Sequence, residues 1–425
     1  MYRRRCAASS PCSRYSAEDL PAQGPALALM LPVFLVFAVC AFASGFALRI
    51  IDPLVIPIAH HFAVAPAAAA LLSTAYALPY ALAQPFLGPL GDRFGKARCI
   101  QVCIAGLALS LWVSTLAPSF ELLLATRVAA GIFAGGLIPL VLAGLGDAYE
   151  MSERQVMIGR MLVAIITGQM LGSTLAGLAN DAFGWRSGLA IAALAALLAA
   201  GLAWTAIPRP ARSTLAEGAV HPSFAALYGR VFENPKAVWL YAAVVVEGAL
   251  IFGAFPFIGQ ILIERTGSSL ASAPTRAGFV LGAFGIGGLA YALSVRRVIA
   301  WLGVRRMCIF GALAAAASYA ALAVFSLWWL DALALMIGGV SYYMLHNSLQ
   351  TEATEIAPSA RGSAVALFAC GLFAGQGIGP LVFGALAHAA GFATALVASG
   401  AGLLLLGWLV VRKIVEMEPI PDAAR

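Results

Sequence analysis

Ionisable side chains occur at four places inside long apolar stretches of this sequence: the Arg49–Asp52 segment, Arg127, Glu247 and His346. An ionised side chain in a nonpolar medium costs at least ~2.5–3.5 kcal/mol on membrane-insertion scales, so each of these residues is expected to have a function or a close partner. Carboxyl and imidazole groups in such surroundings can bind and release a proton. These residue types therefore favour chemistry in which protons are exchanged.

Asp52 follows Arg49 by three residues in the segment Arg-Ile-Ile-Asp-Pro. On a helix this spacing puts both side chains on one face, about one turn apart, where they could neutralise each other. Their depth inside an apolar stretch makes the pair a candidate functional site. The other interpretation is a structural pair near the outer surface of a membrane, close to Pro53 and Pro57.

Glu247 lies in the segment Val-Val-Val-Glu-Gly-Ala-Leu, with no basic residue within a helical turn. An unpaired carboxyl group in a desolvated position is expected to be protonated at neutral pH, as a proton carrier requires. A permanent hydrogen-bonding group and a partner for a cationic substrate are the alternatives. Arg127 keeps its charge, so it needs a carboxylate, a helix end or an anionic substrate, unless its role is purely structural.

A polar cluster occurs in the tenth apolar stretch, and four of its members, Tyr343, His346, Asn347 and Gln350, share one helical face. His346 would titrate near neutrality in a water-filled cavity and could bind substrate, whereas a histidine bonded to neighbouring backbone is an equal alternative. Phe255, together with other phenylalanines of the seventh and eighth stretches, could form a wall for an aromatic substrate. Such rings could equally face lipid or only pack.

The composition explains what must position these residues, because hydrophobic residues make up 62% of the 425 positions and charged residues 11%. Ordinary soluble domains contain roughly 45–50% and about 25%. A helix needs about 20 apolar residues to cross a bilayer, and the sequence contains twelve stretches of that kind. We therefore predict an all-α membrane protein of twelve transmembrane helices.

The formal charge of +7 does not point to nucleic acid, because 21 of the 26 Lys and Arg residues fall on alternate loops and at the termini. This pattern predicts an inner-membrane protein with both termini in the cytoplasm. The exceptions lie within spans or on the opposite face; they are Arg49, Arg127, Arg186, Arg265 and Arg276. Seven single cysteines lack disulfide or metal-ligand spacing, and no metal site or cofactor is expected.

The chain divides into two similar halves. The predicted segments are a disordered cytoplasmic tail (1–25), a six-helix bundle (26–207), a polar cytoplasmic linker (208–236), a second six-helix bundle (237–413) and a cytoplasmic tail (414–425). An offset of 207 residues aligns Gly131 with Gly338, Gly168 with Gly375, Gly172 with Gly379, Gly177 with Gly384 and Gly184 with Gly391. At an offset of 208, Gly95 aligns with Gly303. The sequence thus predicts an internal repeat, in which substrate sites lie near the midplane between the halves.

The loop between the second and third stretches reads Gly88-Pro-Leu-Gly91-Asp92-Arg93-Phe-Gly95-Lys96-Ala-Arg98. It resembles the loop motif of the major facilitator superfamily, with glycines for tight turns and basic residues for the cytoplasmic surface. Arg127-Val-Ala-Ala-Gly131 and Gly184-Trp185-Arg186 resemble two further stretches of that family. The antiporter motif of the fifth span departs from the pattern, because Gly172-Ser173 stands where Gly-Pro is expected and Gly379-Pro380 occurs in the eleventh span instead.

The resemblance implies roles for several residues. Asp92 would engage the start of the eleventh span, near Gly362, and stabilise one of two conformations. Asp52 corresponds to the acidic residue that takes up a proton in the first span of drug and sugar efflux members, and Arg127 would take part in proton coupling. Glu247 competes with Asp52 for the proton.

Three functions remain open at this point. The first is export of a small amphipathic or apolar molecule, a drug, metabolite or sugar, driven by a proton gradient through alternating access. The second is proton-coupled or facilitated uptake of a small solute by the same fold. The third is a membrane sensor or enzyme, although no catalytic set or nucleotide-binding loop occurs in the sequence. The expected partners are substrate, protons and the lipid bilayer, and a single chain suffices for alternating access.

Overall fold

A computed structural model describes residues 24–149, 151–207, 224–266 and 272–415, and the helices in these ranges form twelve spans. Eleven of the described helices are long and apolar enough to cross a membrane, and one of them, Ala273–Val324, contains two spans because its helical path breaks at Gly303. The prediction of an all-α protein with twelve spans is confirmed.

The first half contains spans 1 to 6. Their bounds are Gly24–Arg49 continued by Val55–Phe62, then Pro66–Phe94, Lys96–Thr115, Phe120–Ala148, Met151–Phe183 and Trp185–Ala206. The second half contains spans 7 to 12. Their bounds are Lys236–Phe252 continued by Ile258–Thr266, then the two parts of Ala273–Val324, Trp328–Glu355, Arg361–Ala390 and Phe392–Val410, which a π-helical turn, Val411–Val415, extends.

Spans 1 and 7 are each interrupted by a short 3₁₀ turn, Asp52–Leu54 and Phe255–Phe257. Each turn has proline as its second residue, Pro53 or Pro256, and proline cannot donate the backbone hydrogen bond that a continuing α-helix needs. The interruption in span 1 places Asp52 at a bend inside the protein, where it is 1% exposed.

The internal repeat is visible in the backbone. Among the described residues four glycines have a positive φ, and they form two pairs, Gly95 (88°) with Gly303 (69°) and Gly184 (81°) with Gly391 (83°). Each pair occupies the same connection in the two halves, and the aligned residues are those that the offsets of 208 and 207 match. These angles suit glycine because a side chain is strained there. The repeat that the sequence predicts is therefore present in the fold.

The two ends of the bundle differ in charge. We call the end that carries the connections between spans 2 and 3 and between spans 8 and 9 the basic end, because Arg93, Arg98, Arg296 and Arg306 are exposed there. The other end is the opposite end. Spans 5 and 8 contact each other in the part near the opposite end, where Thr275 Oγ1 donates to the carbonyl of Gly177 at 3.1 Å and Thr174 Oγ1 donates to that of Gly278 at 3.2 Å. These contacts close the two halves against each other there.

The predicted linker is partly helical, since Phe224–Phe232 forms a short helix. Its Tyr228 hydroxyl donates to the carbonyl of Pro85 at 3.2 Å, so this helix lies against span 2. Span 1 begins at Gly24, so the last two residues of the predicted first tail (1–25) belong to its helix. Residues 1–23, 208–223 and 416–425, which hold the rest of both predicted tails and of the linker, lie outside the described residues.

Candidate functional site

The Arg49–Asp52 pair lies where span 1 bends. Nη1 of Arg49 is 3.5 Å from Oδ2 of Asp52, as the three-residue spacing predicts, and the hydroxyl of Ser73 in span 2 donates to Oδ1 of Asp52 at 2.7 Å. Arg49 is 7% exposed and Asp52 1%. An ion pair this deeply buried needs such additional hydrogen bonds to offset the loss of hydration.

Arg49 also reaches across to the second half. Its Nη2 donates to Oε1 of Gln376 in span 11 at 2.6 Å. Its guanidinium carbon lies 4.1 Å from the ring centre of Phe252 and 5.1 Å from that of Phe255, both near the break in span 7. A guanidinium group over an aromatic face is attracted by the ring's quadrupole. Arg49 therefore joins Asp52 to two spans of the other half, a connection that the sequence analysis did not foresee.

Arg127 in span 4 is fully buried, and its guanidinium group donates hydrogen bonds to backbone carbonyl groups of two other spans. Its Nη1 donates to the carbonyl of Ala47 at 3.3 Å and its Nε to that of Leu72 at 3.5 Å, while its guanidinium lies 4.2 Å from the ring centre of Tyr76. The two carbonyl groups belong to segments that carry Arg49 and Ser73. Among the described residues Nη2 of Arg127 finds no hydrogen-bond partner. Arg127 thus braces the surroundings of Asp52.

Glu247 and His346 form a second buried polar site inside the second half. Nδ1 of His346 in span 10 is 2.8 Å from Oε2 of Glu247 in span 7, and their exposures are 7% and 0%. The expectation of an unpaired Glu247 is wrong, because its partner comes from a helix 99 residues away in sequence. Oε1 of Glu247 has no hydrogen-bond partner among the described residues. The two groups can share one proton between an imidazole nitrogen and a carboxylate oxygen.

Aromatic rings connect the two polar sites. The ring of Tyr342 stacks on His346 with 4.9 Å between centroids, and it contacts Phe252 at 5.2 Å. Phe252 in turn lies under Arg49. Phe255, Phe257 and Phe284 are also buried, so these phenylalanines pack within the protein and do not face lipid.

A small cavity lies between the halves, next to Arg49. Its walls come from spans 1, 5, 7, 8 and 10, and the lining residues that carry polar or aromatic groups are Arg49, Gln169, Ser173, Phe255, Phe284 and Tyr343. Tyr343 and Phe255 were predicted as pocket residues. Ser173, which departs from the antiporter motif, donates to the carbonyl of Arg49 at 3.2 Å.

The remaining predicted pocket residues lie elsewhere. His346 pairs with Glu247, Asn347 is half-buried, and Gln350 is exposed. Gln169 and Gln376 were missed, although both are polar residues inside apolar stretches and could have been found by the criterion that singled out His346.

Glycines let the spans pack closely in the same way in both halves. A side chain on Gly168 or Gly172 in span 5 would collide with the carbonyl of Phe42 or Phe46 in span 1, and one on Gly375 or Gly379 in span 11 with that of Val245 or Ala249 in span 7. Gly131 similarly contacts the carbonyl of Tyr76, and Pro380 lies inside the helix of span 11. Small residues permit such close helix approach in membranes.

The candidate gate loop follows span 2. Gly91 packs against Leu140, Gly95 has a positive φ, and Arg93 and Arg98 are exposed at the basic end beside Lys96. Gly88 and Asp92 belong to the helix of span 2, but the structure does not describe their contacts, so the contact of Asp92 with the start of span 11 stays a prediction. Within the described ranges, no three His, Cys, Asp or Glu side chains gather as metal ligands would.

Comparison with known proteins gives the following matches. The family model described as Major Facilitator Superfamily matches residues 37–363. An uncharacterized MFS-type transporter, YceJ of Bacillus subtilis (strain 168), is 26% identical over 360 residues, which is 83% of this chain and 88% of that protein. A triacylglyceride transporter of Mycolicibacterium hassiacum is 37% identical over 99 residues, but this match covers only 23% of this chain and 18% of the relative.

Solved structures share the fold at low sequence identity. A bacterial homologue of the human lysosomal transporter Spinster, in an inward-facing and unoccupied conformation, superimposes with a TM-score of 0.70 at 19% identity, covering 94% of this chain and all of that one. A D-xylose-proton symporter gives a TM-score of 0.71 at 17% identity, covering 90% of this chain and 97% of the other. At this identity the likeness concerns the fold alone.

Proposed function

The chain belongs to the Major Facilitator Superfamily of membrane transporters, and from this premise we propose that it exports a small amphipathic or apolar molecule by proton-coupled alternating access. The cargo class is a drug, metabolite or sugar. We place the basic end and both termini in the cytoplasm and the protein in the inner membrane, because positively charged loops remain on the cytoplasmic side. Family and fold are those of transporters and not of enzymes.

The observation that carries the proposal is the position of Arg49 between Asp52 and Gln376. While Asp52 is ionised, its carboxylate balances the charge of Arg49, which holds spans 7 and 11 of the other half. When Asp52 accepts a proton, Arg49 loses its counter-ion, and the free energy of its contacts across the halves changes. A proton can shift the balance between two conformations only through such a difference in interaction.

Arg127 acts as a positioning residue in this scheme. Its hydrogen bonds fix the backbone beside Arg49 and beside Ser73, the two partners of Asp52. Because an arginine side chain keeps its proton, these bonds persist when Asp52 changes its protonation. The Glu247–His346 pair is the second proton-site candidate. A change of its protonation would reach Arg49 through Tyr342 and Phe252, which lie between the two sites.

The side chains that line the cavity suit an amphipathic or apolar cargo in a conformation where the cavity is wider, because at about 20 Å³ it has room here for about one water molecule. Phe255, Phe284, Met170 and Leu281 supply apolar surface, and Arg49 is the charged side chain among its lining residues. Ligand sites of this kind use a few polar groups for orientation within an apolar wall. The substrate named for the Mycolicibacterium hassiacum relative, triacylglyceride, is also an apolar molecule. The export direction rests on the likeness of Asp52 to the acidic residue of efflux members.

Transport in membrane vesicles tests the proposal. Inside-out vesicles energised by respiration should accumulate cargo if the protein exports it, and right-side-out vesicles should accumulate it if the protein takes it up. Nile red, a lipophilic cationic dye and xylose provide probes of three chemical classes. We expect proton-driven accumulation by inside-out vesicles of at least one of the first two probes.

The Asp52→Asn, Glu247→Gln double variant should abolish this accumulation. Glu355→Gln is the matched control, because Glu355 is an exposed acidic residue at the basic end, with its side chain 65% exposed. Proton-driven transport that survives in the double variant would refute the coupling mechanism. Accumulation in right-side-out vesicles that exceeds the accumulation in vesicles lacking the protein would assign uptake instead of export.

A further inference from the structure

A groove of about 330 Å³ lies on the outer surface of the second half, between spans 9 and 12 at the basic end. It is separate from the cavity beside Arg49, with which it shares no lining residue. The groove is lined by Arg305, Ile309, Ala312, Leu313, Leu404, Gly407, Trp408, Val411 and Arg412.

Small residues make the floor of this groove. Gly407 in span 12 faces Ala312 in span 9 so closely that a side chain on Gly407 would collide with the methyl group of Ala312. The two helices therefore approach each other at this level, while larger apolar side chains stand on both sides. Ile309, Leu313 and Leu404 are 38%, 50% and 40% exposed. This shape and surface suit an extended hydrocarbon chain.

Two arginines stand at the end of the groove nearest the basic end. Arg305 follows the break at Gly303 that begins span 9, and Arg412 belongs to the π-helical turn that ends span 12. Both side chains are exposed. The guanidinium of Arg412 lies 4.6 Å from the ring centre of Trp408, which gives it a fixed position at the groove. The adjacent Lys413 instead packs over Trp239 of span 7, at 5.2 Å.

We propose that this groove binds an anionic phospholipid, with the phosphate group between Arg305 and Arg412 and an acyl chain along Ile309, Leu313 and Leu404. The charge of the two arginines complements a phosphate, which guanidinium groups bind with paired hydrogen bonds. Their place at the end of two spans matches the level of lipid headgroups, and basic pockets between transmembrane helices are a known form of lipid site. The tryptophan at the same level is typical of a membrane interface.

Native mass spectrometry of the purified full-length chain tests this site. Phosphatidylglycerol and phosphatidylcholine with the same acyl chains would be titrated in turn. Two arginines near the membrane surface should favour the anionic lipid by about 30-fold. The Arg305→Gln, Arg412→Gln double variant should lose this preference. The Arg296→Gln, Arg297→Gln variant is the control, since both residues are exposed at the same end but do not line the groove.

A second variant tests the acyl-chain part of the site. Leu313→Trp fills the groove from an exposed position and leaves both arginines in place, so it should weaken binding of phosphatidylglycerol as well. Retention of the lipid in this variant, or an equal loss in the Arg296/Arg297 control, would show attraction by surface charge alone and overturn the proposal. Displacement of the lipid by millimolar inorganic phosphate would also overturn it, because the site would then recognise free phosphate.

Discussion

The two halves carry their buried charges at different levels of the same repeat. Spans 1 and 7 align with an offset of 203 residues. The carbonyl groups that face the glycines of spans 5 and 11 match at this offset, Phe42 with Val245 and Phe46 with Ala249. The 3₁₀ turns match as well, Asp52–Leu54 with Phe255–Phe257. By this alignment Arg49 and Asp52 correspond to Phe252 and Phe255, and Glu247 corresponds to Ser44.

This difference explains what each charge can do. At the level where the halves meet, the first half supplies the ions and the second half supplies the rings that contact Arg49. Glu247 lies about two turns earlier in span 7 and pairs with His346 of its own half. A change of charge at Asp52 therefore alters contacts between the halves directly, while a change at Glu247 first alters packing inside one half.

The largest effect is expected for Asp52, the proton-site candidate whose partner Arg49 contacts the other half. Asp52→Asn keeps the size of the side chain but removes the ionisable group, so substrate-driven proton flux in proteoliposomes should fall by about 100-fold, near the upper limit of typical coupling between two sites. Exchange of labelled for unlabelled substrate, which needs no net proton movement, should continue. Glu247→Gln should reduce proton flux less. The reverse ranking would place the proton coupling at Glu247, inside the second half, and would contradict the assignment of coupling to Asp52.

The sequence predicts much of the fold and one contact of the candidate functional site, the one between Arg49 and Asp52. Twelve apolar stretches and the matched glycines, Gly95 with Gly303 and Gly184 with Gly391, define the architecture because hydropathy and backbone strain are local properties. The Arg49–Asp52 contact follows from helical spacing. The partners Gln376 and His346 do not, because they lie 327 residues from Arg49 and 99 from Glu247. Only the packing of spans brings such residues together.

Two glycines of span 5 offer the next test. A side chain on Gly177 would collide with the carbonyl of Pro274 in the other half, whereas one on Gly172 would meet the carbonyl of Phe46 in the same half. Overpacking costs about 1–3 kcal/mol. Gly177→Ala should therefore shift the protein by about 5- to 150-fold towards the state that is open at the opposite end, and Gly172→Ala should lower thermal stability instead.

Distances between spin labels at Phe183 and Leu327 report this shift, because both residues are exposed at the opposite end, one in each half. Longer distances in Gly177→Ala with an unchanged unfolding temperature would show that Gly177 affects the contact between the halves and not the stability of one half. Unchanged distances together with a lower unfolding temperature would mean that Gly177 serves stability alone.

The buried pair of the second half should affect stability more than coupling. Glu247→Leu leaves His346 without its partner at 2.8 Å and should cost about 1–2 kcal/mol in the free energy of unfolding. His346→Leu should cost a similar amount. Adding the second substitution to the first should cost little more, because a buried ion pair replaced by apolar residues leaves no unpaired group. Thermal unfolding in detergent measures all three variants, and strictly additive losses would exclude a direct interaction.

The smallest effect is expected at the ring beneath Arg49. Phe252→Leu keeps an apolar side chain but removes the aromatic face at 4.1 Å from the guanidinium, which should cost about 1 kcal/mol, or about fivefold in the population of the state closed at the opposite end. Phe257→Leu is the matched control, because Phe257 packs on Phe383 and Phe392 within the second half. The label distance between positions 183 and 327 should increase in the first variant and stay constant in the second. Equal behaviour of both variants would mean that Arg49 gains nothing specific from the Phe252 ring, and that Gln376 and Phe255 carry its contact with the other half.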